Sequence, residues 1–291
     1  MSVSHRFANH AGVLGWLVLL VFCVLMPARS RAGLIWDNNI GAALPNASFS
    51  PSSSDGWQNV NVPPAFAFPF LGTTYTSLFV STSGFVWLGG QNGGQCCAVS
   101  SNPPLALDFF ANGSPRLSGG WASLRPDVSG TVNVAENTDA AGSRTVITYN
   151  NVATDTINAH HVTFQMQLYT TGVIIFSYQN FSSADLGANT ATLIGVTRGQ
   201  ALDTPVAVDF TSLPLTIGDS AYDILSINPG FDLSGQSLVF TPRARNAGFD
   251  VAAPAIPEPS TFLFAASAIL FLFFKYKRTT NQLSYEDAQS E

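Results

Sequence analysis

Apolar and polar positions alternate in short runs along the central part of the chain, a period that is typical of half-buried β-strands. The clearest run is 161–178, whose first half is apolar on one face and polar or aromatic on the other: Val162, Phe164, Met166 and Leu168 against Thr163, Gln165, Gln167 and Tyr169. Gly172 supplies a turn that tolerates positive φ. The returning run 173–178 is apolar on both faces, which predicts a central strand.

Further runs of β-branched and aromatic residues are separated by clusters of Gly, Pro, Asn and Ser. We predict strands at 66–70, 77–81, 85–88, 130–135, 144–149, 192–196, 206–210, 222–227 and 237–240. Many short strands with frequent turn signals predict an all-β fold, an antiparallel β-sandwich. Pro69 places the first strand at a sheet edge or makes it a strand end. Of Phe85 and Trp87 we expect at least one in the core.

The first 32 residues have the pattern of a secretory signal peptide. Arg6 follows the charged amino terminus, residues 13–25 are apolar, and residues 30–32 (Ser-Arg-Ala) place small side chains at the two positions that a signal peptidase reads. The apolar run is shorter than the about 20 residues that a membrane-spanning helix needs. We predict cleavage between Ala32 and Gly33; a retained amino-terminal anchor is the alternative.

A second apolar run, residues 261–274, lies near the end of the chain, and basic residues follow it directly: Lys275, Lys277 and Arg278. We predict a transmembrane helix there, with the basic residues on the cytoplasmic side. The residues before the helix would then lie outside the membrane: Pro257, Glu258 and Pro259. An ordinary membrane anchor on a prolyl stalk is the alternative.

The order of these features, with the wording IPEPST, resembles a PEP-CTERM sorting signal over residues 257–278. The resemblance implies processing near Pro257-Glu258-Pro259 by an exosortase, in a host that makes an exopolysaccharide matrix. It implies a protein that is membrane-anchored before processing and lies on the outer surface or in the matrix afterwards. The polar, acidic tail 279–291 departs from the family, whose signals usually stop soon after the basic residues.

The body that remains, residues 33–246, is joined to the sorting signal by an Ala/Pro-rich segment, 247–256, that is typical of a linker. Its phrase FPFLGTTYTSLFVSTSGF, residues 68–85, resembles the opening of nidogen-like (NIDO-type) extracellular β domains. Three later phrases follow in the family's order: 144–152, 164–176 and 191–197. The resemblance, over about 60–200, implies a β domain of matrix and adhesion proteins without enzymatic activity. Where the family has an acidic stretch, only Asp108 remains here.

Between the two signals, residues 33–259 contain six Arg, no Lys and fifteen acidic residues, a formal charge of −9. Without a basic stripe, nucleic acid binding is not expected. Cys96 and Cys97 are the cysteines left after loss of the signal peptide. They can form a strained vicinal disulfide, stay free or pair between chains, and their spacing fits no zinc or haem site.

Candidate chemistry in the body is sparse, and we predict neither an enzyme nor a cofactor. His160 and His161 are adjacent, so on a strand they point to opposite faces and cannot act on one metal or one substrate. The aspartates are scattered singly at turns, and Glu136 lies with Asn137 and Asp139 in a predicted loop. We therefore expect a structural or adhesive protein of a biofilm or exopolysaccharide matrix.

Two alternatives remain from the sequence. A carbohydrate-binding module would use Trp57 or Trp121, which we place in Gly/Ser/Asn-rich loops and which could stack on sugar rings. An extracellular polysaccharide hydrolase would need two convergent carboxylates or a nucleophile beside a histidine.

Overall fold

A computed structural model describes residues 33–49, 56–90, 113–154, 159–187, 189–199 and 205–254. Regular structure there is β-strand, apart from three 3-10 turns at Asn46–Ser48, Pro64–Phe66 and Ala244–Asn246. The strands are β1 (Ala42–Ala43), β2 (Trp57–Asn61), β3 (Phe68–Phe70), β4 (Thr73–Tyr75), β5 (Ser77–Ser81), β6 (Phe85–Leu88), β7 (Arg116–Trp121), β8 (Thr131–Asp139), β9 (Gly142–Ala153), β10 (His161–Tyr169), β11 (Ile174–Asn180), β12 (Ala191–Thr197), β13 (Val206–Ala207), β14 (Leu215–Ile217), β15 (Ala221–Ser226), β16 (Gln236–Pro242) and β17 (Phe249–Ala252).

The strands form two large sheets. Sheet 1 has the order β1-β8-β9-β10-β11-β16-β17-β14, and sheet 2 has the order β13-β15-β12-β7-β6-β5-β2. Neighbouring strands are antiparallel except β13, which runs parallel to β15. A third sheet is the hairpin of β3 and β4. The predicted all-β, antiparallel sandwich is confirmed.

The main core lies between the inner faces of sheets 1 and 2, because alternate residues of each strand point inward. Aromatic rings fill its centre: Phe164 stacks on Tyr149 with ring centres 4.5 Å apart and meets Phe181 edge-on at 5.3 Å. Two buried tyrosines of sheet 1 also reach the backbone of sheet 2. The hydroxyl of Tyr149 donates to the carbonyl of Ser81, and that of Tyr178 donates to the carbonyl of Gly119 at 2.7 Å.

β7 admits these rings because it contains the pair Gly119-Gly120. A Cβ on Gly120 would lie 2.6 Å from Cζ of Phe181, and one on Gly119 would lie 2.9 Å from Cγ of Met166. Real Cβ atoms essentially never approach that closely. The two glycines therefore let the side chains of sheet 1 pack directly on the backbone of a central strand.

Most predicted strands are present, with shifted ends. The 161–178 hairpin is confirmed as β10 and β11, and β11 is central between β10 and β16. The prediction for Pro69 also holds, since it lies in the two-stranded sheet of β3 and β4. Phe85 and Trp87 are both buried, at 1% exposure each.

Four assignments are corrected. Phe66 belongs to a 3-10 turn before β3, and the predicted strand at 206–210 is only two residues long. Residues 136–139, predicted as loop, continue β8 and pair with β9. Residues 249–252, predicted as linker, form β17 between β16 and β14, because Phe249 and Val251 are buried in the core.

The compact unit that contains both large sheets extends from Ala32 to Pro254. Within the described ranges, no helix is long and apolar enough to cross a membrane. The predicted signal peptide and sorting helix lie outside the described residues.

Candidate functional site

The segment from Gly33 to Asn39 crosses the outer face of sheet 1, and we call it the strap. Along its length the strap contacts neighbouring strands of sheet 1 one after another, following their spatial order from β17 to β8. The Gly33 N–H donates to the carbonyl of Pro254, just after β17, at 2.8 Å. Further along, Asn39 contacts β8, and β1 then pairs with β8 at the sheet edge. The strap therefore spans the sheet from one side to the other.

A row of polar side chains on five strands holds the strap, and we call it the polar row. Its members are Asn137 (β8), Arg144 (β9), Gln165 and Gln167 (β10), Ser177 (β11) and Ser237 (β16). They alternate along their strands with core residues such as Phe164 and Phe176, so they lie on the face opposite to the core. All six are nonetheless buried, none more than 7% exposed.

The polar row forms hydrogen bonds with the backbone N–H and carbonyl groups of two alternate residues of the strap. At Ile35 the N–H donates to Oγ of Ser237 at 2.8 Å, and the carbonyl accepts from Ser177 and from Nε2 of Gln167. At Asp37 the N–H donates to Oε1 of Gln165, and the carbonyl accepts from Nε2 of the same side chain, both at 3.0 Å. The glutamine amide thus takes the place of a neighbouring strand's backbone.

The strap also contacts the polar row through two side chains of its own. Nδ2 of Asn39 donates to Oδ1 of Asn137 at 2.6 Å. The carboxylate of Asp37 accepts from the guanidinium of Arg144 and, at 2.8 Å, from Nδ2 of Asn137. Arg144 also donates twice to Asp139, at 2.9 and 2.8 Å, and lies 5.4 Å from the ring centre of Tyr169. The hydrogen bonds from Arg144 lower the pKa of Asp139 to about 2. Arg144 is therefore a fixed cation between two carboxylates.

A second cluster lies on the outer face of sheet 2, and we call it the aromatic face. Its members are Trp57, Phe79, Phe85, Trp87, Trp121, Leu193 and Tyr222. Phe85 meets Trp87 edge-on at 4.6 Å, and the guanidinium of Arg116 lies 5.3 Å from the Trp87 ring centre. The face is strongly apolar in the middle and becomes partly exposed at Trp57, Phe79 and Tyr222.

The two tryptophans predicted as ligand contacts both belong to this face, but in different settings. They lie on strands, not in loops: Trp57 begins β2 and Trp121 ends β7. Trp121 is 2% exposed and has no open ring face for a sugar. Trp57 is partly exposed and rests against Phe79 with ring centres 5.2 Å apart. Of the pair, only Trp57 has the exposure that stacking on a ligand requires.

Several titratable residues of the described ranges lie in strands, turns or surface ion pairs. His161 begins β10, and the carbonyl of His160 accepts the N–H of Thr154. Asp127 pairs with Arg125, and Asp219 with Arg198. Within the described ranges, no group of three or more His, Cys, Asp or Glu side chains is arranged to hold a metal ion.

The remaining predicted sites lie largely outside the described residues. This applies to Ala32, to Cys96 and Cys97, to Pro257-Glu258-Pro259, and to Lys275, Lys277 and Arg278. Of the predicted signal-peptidase junction only Gly33 is described, where it begins the strap.

The strap and the polar row were missed because the polar face of β10 has the alternation of a solvent-facing strand. Gln165 and Gln167 are 0% and 1% exposed, and nothing in their own sequence neighbourhood shows what covers them. One feature of the sequence could have indicated a covering segment: two long amide side chains, Gln165 and Gln167, occupy alternate positions of a central strand.

The family comparison covers most of this fold. The family model described as NIDO related matches residues 41–242, a wider range than the about 60–200 indicated by the sequence phrases. No curated protein and no solved structure matches the chain significantly. The match includes nearly all strands of both sheets, and the chain belongs to the NIDO-related family.

Proposed function

We propose that this protein is an exported structural or adhesive component of an exopolysaccharide or biofilm matrix, released from a membrane-anchored precursor by an exosortase. The observation that carries the proposal is the NIDO-related, extracellular-type β domain, which fills the chain between the predicted export and sorting signals. Charged residues are sparse in the body, so its polar surface comes largely from Ser, Thr, Asn and Gln and suits contact with neutral polymers.

The described geometry supports a scaffold role better than a catalytic one. One pair of carboxylates, Asp37 and Asp139, meets on Arg144. A glycosidase needs one carboxyl group with a raised pKa as its general acid, whereas the pKa of Asp139 is held at about 2. We therefore assign this carboxylate pair to the fastening of the strap.

The processing part of the proposal is tested by intact mass. The protein is recovered separately from the envelope and from the medium of its host, and a Pro257→Ala/Pro259→Ala variant serves as the matched control. We expect a mature species that begins at Gly33, ends near Pro257 and disappears in the variant. Wild-type protein that retains Glu291 would instead identify a plain membrane anchor and end the exosortase proposal.

A second candidate function, binding of a defined sugar, has one observation in its favour. Trp57 is partly exposed at the rim of the aromatic face, and the neighbouring Asn59 on the same face of β2 is exposed. An apolar ring beside an amide is a common way to hold a sugar. The test is calorimetric titration with the host's exopolysaccharide and its fragments, comparing wild type with Trp57→Ala and Trp57→Phe. A sugar site requires saturable binding that Trp57→Ala abolishes and Trp57→Phe largely keeps.

A further inference from the structure

The strap is held in an unusual way for a segment of a β-sandwich. It makes no strand pairing between Gly33 and Asn39, and its contacts with the sheet run through side chains of the polar row. Its two central residues, Ile35 and Asp37, have both backbone groups satisfied there. A short extended peptide bound to a protein surface is held by the same kinds of contact.

The polar row also has the composition of a ligand site. The two glutamine amides have their donors placed on named acceptors: Nε2 of Gln167 donates to Ile35 and to Gln165, and Nε2 of Gln165 donates to Asp37 and to Thr148. Buried amides and hydroxyls left without partners would cost free energy. The row therefore makes these hydrogen bonds to protein groups when an extended peptide lies across it, and to water when the peptide leaves.

The site distinguishes one residue of its peptide. Backbone contacts at Ile35 and Asp37 accept many sequences, but the Asp37 carboxylate enters a pocket formed by Arg144 and Asn137. Charge-assisted hydrogen bonds are the stronger class, and an uncharged amide at this position would replace one of the two carboxylates that contact the cation. The pocket thus favours an acidic residue two positions after the first clamped residue.

The strap also connects the two ends of the body. Its first N–H donates to the carbonyl of Pro254, two residues after the end of β17, and the hydrogen bond is 2.8 Å long. The same residue, Gly33, is the predicted new amino terminus, and Pro254 lies three residues before the predicted sorting motif.

We propose that the outer face of sheet 1 is a peptide-binding site whose resident ligand is the chain's own residues 33–39. The strap detaches and rebinds as a unit, with the remainder of the sandwich folded, and its docking fixes the carboxy-terminal exit of the body beside the amino terminus. Detachment of the strap exposes a site that binds an extended peptide containing one aspartate. The proposal concerns the folded body and does not depend on where the protein is sorted.

The first test is amide hydrogen exchange, followed by mass spectrometry, on the full chain purified from its host. A strap that opens as a unit exchanges at Ile35 and Asp37 at one rate, faster than β12. Asp37→Asn weakens the charge-assisted contact, so we expect strap exchange to rise about ten- to hundredfold. Residues 249–252 should exchange faster as well, while β12 stays unchanged. The matched control is Asp219→Asn, which removes a surface ion pair with Arg198 and should leave the strap unaffected.

Ser237→Ala tests the same point with a milder, uncharged change, since it removes the acceptor of the Ile35 N–H and the hydroxyl that contacts Ser177. Opening as a unit predicts faster exchange at both Ile35 and Asp37, whereas local fraying predicts faster exchange at Ile35 alone. Fraying of this kind would contradict the proposal, as would strap exchange that occurs only together with β12 in every variant.

The second test supplies the ligand separately. A fluorescent peptide with the sequence of residues 33–39 is titrated into the Asp37→Asn chain and followed by anisotropy. We expect saturable binding that falls at least about tenfold when the peptide carries Asn in place of its aspartate. Absence of binding, or equal binding of the two peptides, would overturn the assignment of a peptide-binding site.

Discussion

The substitution Gly120→Ala adds one methyl group to β7 and tests directly how closely the two sheets pack. The Gly120 backbone has ordinary φ, so alanine brings no conformational strain. The new Cβ would lie 2.6 and 2.8 Å from two ring atoms of Phe181. Ordinary contact begins near 3.4 Å, and Phe181 is fully buried against Phe164 and Tyr178. The ring cannot turn away, so strands or rings must move apart.

Forced overpacking of this kind costs about 1–3 kcal/mol. With an m-value of about 2–3 kcal/mol/M for a body of this size, Gly120→Ala should lower the urea midpoint by roughly 0.3–1.5 M. The assay is equilibrium unfolding followed by tryptophan fluorescence. Gly218→Ala is the matched control: its Cβ would meet nothing within 4 Å and its φ is not positive. We expect that control to change the unfolding free energy by less than about 1 kcal/mol.

A double variant separates steric conflict from any other effect of the methyl group. Phe181→Leu removes the ring atoms that the Cβ would strike, so Gly120→Ala should cost less in that background than in the wild type. A coupling free energy of at least about 0.5 kcal/mol is expected for such a contact. Equal stability of wild type and Gly120→Ala, or additive costs in the double variant, would refute the close approach of β7 to the core rings.

Three further outcomes follow from the buried hydroxyl and the shifted carboxylates. Tyr149→Phe leaves the carbonyl of Ser81 without its donor from the opposite sheet and should lower the unfolding free energy by about 1–3 kcal/mol in urea titrations. The pKa of Asp139 falls from 3.8 to about 2 through its hydrogen bond with Arg144. The contribution of Asp139 to the free energy of unfolding is therefore present above about pH 4 and is lost toward pH 2. Thermal unfolding measured from about pH 2 to 5 should show the melting temperatures of wild type and Asp139→Asn converging at the acid end. Burial raises the pKa of Asp223 above 3.8, so the advantage of Asp223→Asn in thermal unfolding should grow as pH rises through that folded-state pKa, and a constant difference would contradict this.

The sequence was sufficient for the strands whose local pattern carries its own signal. The hairpin of β10 and β11 was predicted because apolar residues alternate and Gly172 marks the turn. β5 and β6 were predicted with correct bounds for the same reason, around the turn at Gly84. In these elements the residues that form the strand are also the residues that fill the core.

Strands that form because of contacts with residues far along the chain were not predicted from the sequence. β7 contains Gly119-Gly120 and has the composition of a loop, because its glycines accommodate rings that belong to β10 and the turn after β11. β17 has the Ala-rich composition of a linker, and it is a strand because Phe249 and Val251 bury in the core.

The strap was missed for a related reason. Residues 33–39 carry no strand pattern, and their position depends on amides and hydroxyls far along the chain, such as Gln165 and Ser237. Likewise Trp121 could be recognised as an aromatic residue near glycines, but its burial depends on neighbouring strands of sheet 2. Local composition does not contain this long-range information.

The central claim, a NIDO-related body retained in an exopolysaccharide matrix, is tested most directly by locating the mature protein in its host. Matrix, envelope and medium are separated, and intact mass is measured in each fraction before and after enzymatic removal of the exopolysaccharide. The account predicts a species that begins at Gly33, lacks Glu291, is concentrated in the matrix and moves to the medium when the polymer is removed. A species that keeps Glu291 and stays in the envelope regardless of the polymer would contradict it.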